Sequence, residues 1–66
     1  MGYRIKQIRI GKNITQSELS EKSGVSRVTI NGLETGRINV TTTGTLEKIA
    51  KALGVTVDEI FFVGSV

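Results

Sequence analysis

The chain is 66 residues long, enough for one domain, and it has no cysteine or histidine, which removes disulfides, thiolate chemistry and the common zinc-ligand sets. A domain of this size buries only about 60% of its unfolded surface, so close helix packing or self-association has to stabilise it. Nine Lys or Arg against six Asp or Glu leave a net charge of +3, and Arg4, Lys6, Arg9 and Lys12 all precede the first acid, Glu18.

On charge alone that basic end reads as a solvated helix face, although it also suits a surface near phosphates. The apolar stretches are short, such as residues 60–63, against the roughly 18 residues of a membrane span. No basic-then-apolar leader opens the chain. The expectation is a cytoplasmic protein with no membrane partner.

Taken in order, Ile5 and Ile8 stand three apart with charges between them, the pattern of an amphipathic helix over about residues 2–11. Gly11 and Asn13 then mark its end. Thr15 followed by Glu18 has capping-box spacing and opens a helix over 16–23 that turns Leu19 inward and stops at Gly24. Ser26 caps a third helix over 27–34, on which Ile30 and Leu33 share a face.

Residues 37–42 read as a polar loop. The threonines there favour a strand by propensity, but no second strand is available to pair with them. A fourth helix over 43–53 aligns Leu46, Ile49, Ala50 and Leu53 on one face and ends at Gly54. Thr56 caps a last short helix over 57–61 carrying Val57, Ile60 and Phe61. Gly24, Val25 and Ser26 read like Gly54, Val55 and Thr56: glycine ends a helix, valine packs, a hydroxyl caps the next. The expected fold is all-α, a compact five-helix domain.

The stretch from Thr15 to Glu34 has the character of two helices crossing steeply through a tight turn at Gly24, with Leu19, Val25, Ile30 and Leu33 at the crossing and small Ser20 permitting close approach. Thr15, Gln16, Glu18 and Leu19, then Gly24, Val25 and Ser26, then Ile30, Leu33, Glu34 and Gly36 follow in fixed spacing, continued by residues 46–55 and by Asp58, Glu59, Ile60 and Phe61. In this order the chain resembles the Cro and phage-repressor-like, or XRE-type, helix-turn-helix regulators from about Ile5 to Phe61.

That resemblance implies a lambda-repressor-like fold and a transcription regulator, most simply a repressor, binding double-stranded DNA. Its third helix would enter the major groove. The base-contacting positions would be Arg27, Val28, Thr29, Asn31 and Gly32. Arg27 suits a guanine, Val28 or Thr29 a thymine methyl, and Asn31 an adenine. Gln16 would clamp a phosphate and brace the reading helix, and Ser26, Arg37, Asn39, Thr41, Thr42 and Thr43 would follow the backbone. Arg9 and Glu34 match an internal ion pair joining the first and third helices.

The chain also departs from the family. Gly32 replaces a longer reading side chain, so specificity there is lost or passes to DNA shape, and glycine costs the helix about 1 kcal/mol relative to alanine. The 40–44 loop lacks the usual Asn-Pro-Ser/Thr-Leu sequence. Phe61, Phe62 and Val63 are a candidate contact of a homodimer formed at least on DNA; the other reading puts Phe61 in the core and Phe62 half exposed.

An enzyme is not expected: Ser and Thr have no partnered base, the carboxylates lie on separate helices, and Gly32 and Gly36 lack the Lys and Ser/Thr of a phosphate-binding loop. Neither a cofactor nor a metal is implied. The alternative of another class is an antitoxin or interaction module that uses the same fold with a partner protein. If the chain is complete, no ligand-sensing domain accompanies it.

Overall fold

A computed structural model describes residues 2–38 and 41–62, residues 61 and 62 by their backbone. Five helices follow in order: α1 (Ile5–Gly11), α2 (Gln16–Ser23), α3 (Arg27–Thr35), α4 (Thr43–Leu53) and α5 (Val57–Ile60). Two short strands, β1 (Gly2–Tyr3) and β2 (Phe61–Phe62), flank them.

These strands are a correction to the helix limits expected above. The first helix starts at Ile5 rather than at residue 2, and the last ends at Ile60. Gly2 pairs with Phe62 and Tyr3 with Phe61 in an antiparallel ladder, and the Arg4 amide donates to the Ile60 carbonyl at 2.7 Å. Gly2 is a poor helix former, and Tyr3, Phe61 and Phe62 belong to the aromatic class that strands favour. Their backbone groups satisfy one another where the first and last described segments meet.

The helix limits otherwise follow from local chemistry. The Thr15 hydroxyl accepts the Glu18 amide at 3.0 Å while the Glu18 carboxylate accepts the Thr15 amide at 2.9 Å, a complete capping box. Ser26 accepts the Thr29 amide and Thr42 the Thr45 amide, each at 3.2 Å. Asn13, with φ 58, turns the chain after α1. Gly24, with φ 76, provides the left-handed turn between α2 and α3, a conformation that costs an L-residue roughly 1–2 kcal/mol.

All five helices contribute to one core. Ile5, Leu19, Val25, Ile30, Leu33, Leu46, Ile49, Ala50, Leu53 and Ile60 are buried, with Tyr3, Ile8, Ile14, Ile38, Ala52, Val55 and Val57 packed around them. The resemblance between the two Gly-Val-hydroxyl segments is structural: Gly54 adopts φ 74, and Thr56 accepts the Glu59 amide at 3.2 Å as Ser26 accepts that of Thr29. Because α2 packs on both α3 and α4, the core holds α3 while its outer face stays open.

Two consequences are measurable. Thr15→Ala should lower stability by about 1 kcal/mol, read as a shifted urea midpoint with an unchanged slope. At α5 the Glu59 carboxylate accepts the Thr56 amide at 2.9 Å and the Thr56 hydroxyl at 3.2 Å. These bonds hold its pKa below the ordinary 4.5. A lowered carboxylate pKa stabilises the fold above the unfolded value, and that contribution is lost as pH falls through the folded value. An NMR titration should show the Thr56 and Glu59 amide signals moving in that acid window, and Glu59→Gln should abolish the transition.

Candidate nucleic-acid interface

The capped first turn of α3 aims its side chains outward because Ile30 and Leu33 anchor the opposite face in the core. Arg27, Val28 and Asn31 are exposed, Val28 at 69%, one of the large apolar residues that the core leaves out. Together with Gln16 at the start of α2 and Arg37 beyond α3, they line one shallow groove. It combines two guanidinium groups, two amides and a valine, with no carboxylate among its lining residues.

Beneath the groove a polar network ties three helices together. Arg9 of α1 grips the Glu34 carboxylate of α3 with two hydrogen bonds, at 2.7 and 3.0 Å, and donates a third to the Ile14 carbonyl at 2.9 Å. The Glu34 side chain is 3% exposed and that of Arg9 12%. The hydrogen bonds to Glu34 raise the Arg9 pKa above its ordinary value, although burial opposes this. The expected internal ion pair of Arg9 and Glu34 is therefore present, in bidentate form.

Gln16 completes the network. Its amide nitrogen donates to Glu34 Oε1 at 2.9 Å and approaches Asn31 Oδ1 at 3.4 Å. Gln16 thus links α2 to the outer helix, with its amide beside Asn31 at the groove.

The other expected site residues divide clearly. Thr29 is half-buried and its hydroxyl bonds Ser26 Oγ at 3.0 Å, so both residues are engaged in capping α3. Gly32 requires a correction: it is buried under Ile38 and Arg37 and does not lie on the open surface with Arg27, Val28 and Asn31. Thr41, Thr42 and Thr43 stand at the start of α4, where Thr42 is the N-cap, and none of them lines the groove. Asn39, the side chains of Phe61 and Phe62, and Val63 lie outside the described residues.

Two features were not foreseen from the residues. Arg37 joins the groove floor, its guanidinium 3.4 Å from the Val28 carbonyl, where only a place along the backbone-following loop was expected. Beside the groove, Asn13, Thr15 and Ser17 line an adjoining depression with Gln16 and Arg27. Asn13 carries a turn signal and Ser17 carries no signal at all.

The ion pair should be indispensable to the fold. Arg9→Ala leaves a nearly buried carboxylate without its cation, which typically costs about 3–5 kcal/mol. A domain of this size has a total stability of similar order, so circular dichroism should show the variant largely unfolded at 25 °C. Replacing both partners, Arg9→Met with Glu34→Met, should recover part of the loss.

A helix-turn-helix family model matches residues 5–60. The chain is 42% identical over 60 residues to the immunity repressor protein of Bacillus phage phi105, covering 91% of this chain and 41% of the repressor. It is 39% identical over 57 residues to the HTH-type transcriptional activator BcrR of Enterococcus faecalis, covering 86% of this chain and 28% of the activator. It thus spans less than half the length of either relative. An uncharacterized HTH-type transcriptional regulator of Methanocaldococcus jannaschii is 39% identical over 61 residues, 92% of this chain and 91% of its own. Among solved structures, the master regulator for biofilm formation SinR, in complex with DNA, superposes with a TM-score of 0.80 at 36% identity, covering 83% of this chain and 87% of that one. The chain belongs to the helix-turn-helix family, of the Cro and phage-repressor-like type.

Proposed function

We propose that the chain binds double-stranded DNA sequence-specifically as the reading domain of a transcription regulator, with α3 in the major groove. The observation that carries this reading is the groove itself: an exposed valine among two guanidinium groups and two amides, on a helix held rigidly from behind. A major groove supplies partners for all of them, since guanine offers two acceptors, adenine an acceptor and a donor, and thymine a methyl group. The groove is about 12 Å wide and admits an α-helix.

In this reading Arg27, Val28 and Asn31 contact bases. Gln16 fixes Asn31, and Ser26 and Thr41, Thr42 and Thr43 approach phosphates at helix starts, where the backbone amides and helix dipole favour an anion. Relatives include both a repressor and an activator. Repression by occlusion is the mechanism that needs binding alone, and such a regulator would act in the cytoplasm. A homodimer on DNA would set two α3 helices about 34 Å apart on half-sites one turn apart.

The test is selection of bound duplexes from a random library at near-physiological salt, followed by sequencing. Enrichment of a repeated half-site supports the reading. Salt-sensitive retention without any enriched sequence overturns it and favours an interaction module that docks a partner protein. Arg27→Ala should flatten the preference at one base-pair position, a loss of about 1–3 kcal/mol of discrimination. Unchanged selectivity in that variant would refute the assigned docking.

A further inference from the structure

After α3 the chain turns at Gly36, with φ 85, and the loop folds back over residue 32, which has no side chain. A β-carbon at Gly32 would lie 2.5 Å from Ile38 Cδ1, 2.7 Å from Ile38 Cγ1 and 3.1 Å from a guanidinium nitrogen of Arg37. Carbon atoms that are not bonded rest about 3.5–4.0 Å apart, so no side chain fits there with Ile38 in place. The Ile38 amide donates to the Gly32 carbonyl at 3.0 Å, which pins the returning chain to the helix. Ile38 packs against the core from this position. Arg37, one residue earlier, is directed along the outer face of α3, where its guanidinium meets the Val28 carbonyl. It therefore shares the groove with Arg27, Val28, Asn31 and Gln16 although it belongs to a different element.

We propose that Arg37 is a specificity-determining residue that reads a base edge from across α3, and that Gly32 is the positioning residue that admits it there. The inference rests on the reading of this groove as a DNA interface. One long bond to the Val28 carbonyl leaves most of the guanidinium's five donors unused, and their planar fork matches the two acceptors of guanine. Its place beside the Val28 carbonyl, in the groove that Arg27 and Asn31 also line, brings that fork to the same surface. The open space at residue 32 thus transfers a reading position from the helix to the loop.

The experiment repeats the duplex selection with the full chain and with Arg37→Lys, Arg37→Ala and Gly32→Ala. Arg37→Lys keeps the charge and loses the fork. It should reduce discrimination at one base-pair position about tenfold while the remaining positions keep their preferences. Arg37→Ala should flatten the same position. Gly32→Ala, which displaces Ile38 and Arg37, should do so as well, with no rise in Tm despite the better helix former. If both Arg37 variants keep the wild-type preference and bind all sequences more weakly by one common factor, Arg37 is a phosphate contact and the proposal is overturned. Because Arg37 is exposed, its two variants decide the matter even where Gly32→Ala fails to fold. If the unaltered chain enriches no sequence, the DNA-reading function falls together with this inference.

Discussion

The bidentate bond between Arg9 and Glu34 is the constraint on which the rest of the site depends. Beside a core built from aliphatic side chains, it is a polar contact that joins α1 to α3. A carboxylate that is 3% exposed tolerates only a few geometries, since each lone pair removed from water has to find a donor. Arg9 provides two donors and Gln16 a third, from two different helices. Rotation or sliding of α3 against α1 and α2 would break these bonds together. The network therefore gives the outer helix a definite orientation that aliphatic packing alone specifies less sharply.

In the proposed DNA-reading role that orientation would matter, because a hydrogen bond to a base edge tolerates only small displacements and the domain is too small to provide rigidity by bulk. Arg27 and Val28 project from the first turn of α3 and are exposed. Their position is inherited from below, through Ile30 and Leu33 in the core and Glu34 in the network. Gln16 carries the same constraint upward, since one amide touches both Glu34 and Asn31. Stability and the proposed recognition would thus be built on the same atoms.

The return of the loop over Gly32 follows another logic. A glycine inside a helix is costly by propensity, and alone it looks like a defect. Here the missing side chain is the space that Ile38 fills, so the helix loses intrinsic stability while the core gains a partly buried isoleucine and the groove gains Arg37. Local propensity and tertiary packing disagree at this residue. Such disagreements are expected where a fold carries function.

Much was legible in the residues themselves, because it depends on neighbours within a turn. The capping pair Thr15 and Glu18, the hydroxyl caps at Ser26 and Thr56, the left-handed turn at Gly24 and the apolar faces of α3 and α4 are local chemistry, readable at fixed spacing. The pairing of Arg9 with Glu34, 25 residues apart, came from family resemblance, since spacing carries no signal over such a distance. Three features waited for the tertiary structure: the pairing of Gly2 and Tyr3 with Phe61 and Phe62, the burial of Gly32, and the arrival of Arg37 beside Val28. Each joins groups whose separation in space bears no relation to any repeat in the chain. The sequence by itself determined where helices start and stop and which faces are apolar; the packing of those faces decided which side chains share the groove, because only closure of the core sets the distances between elements.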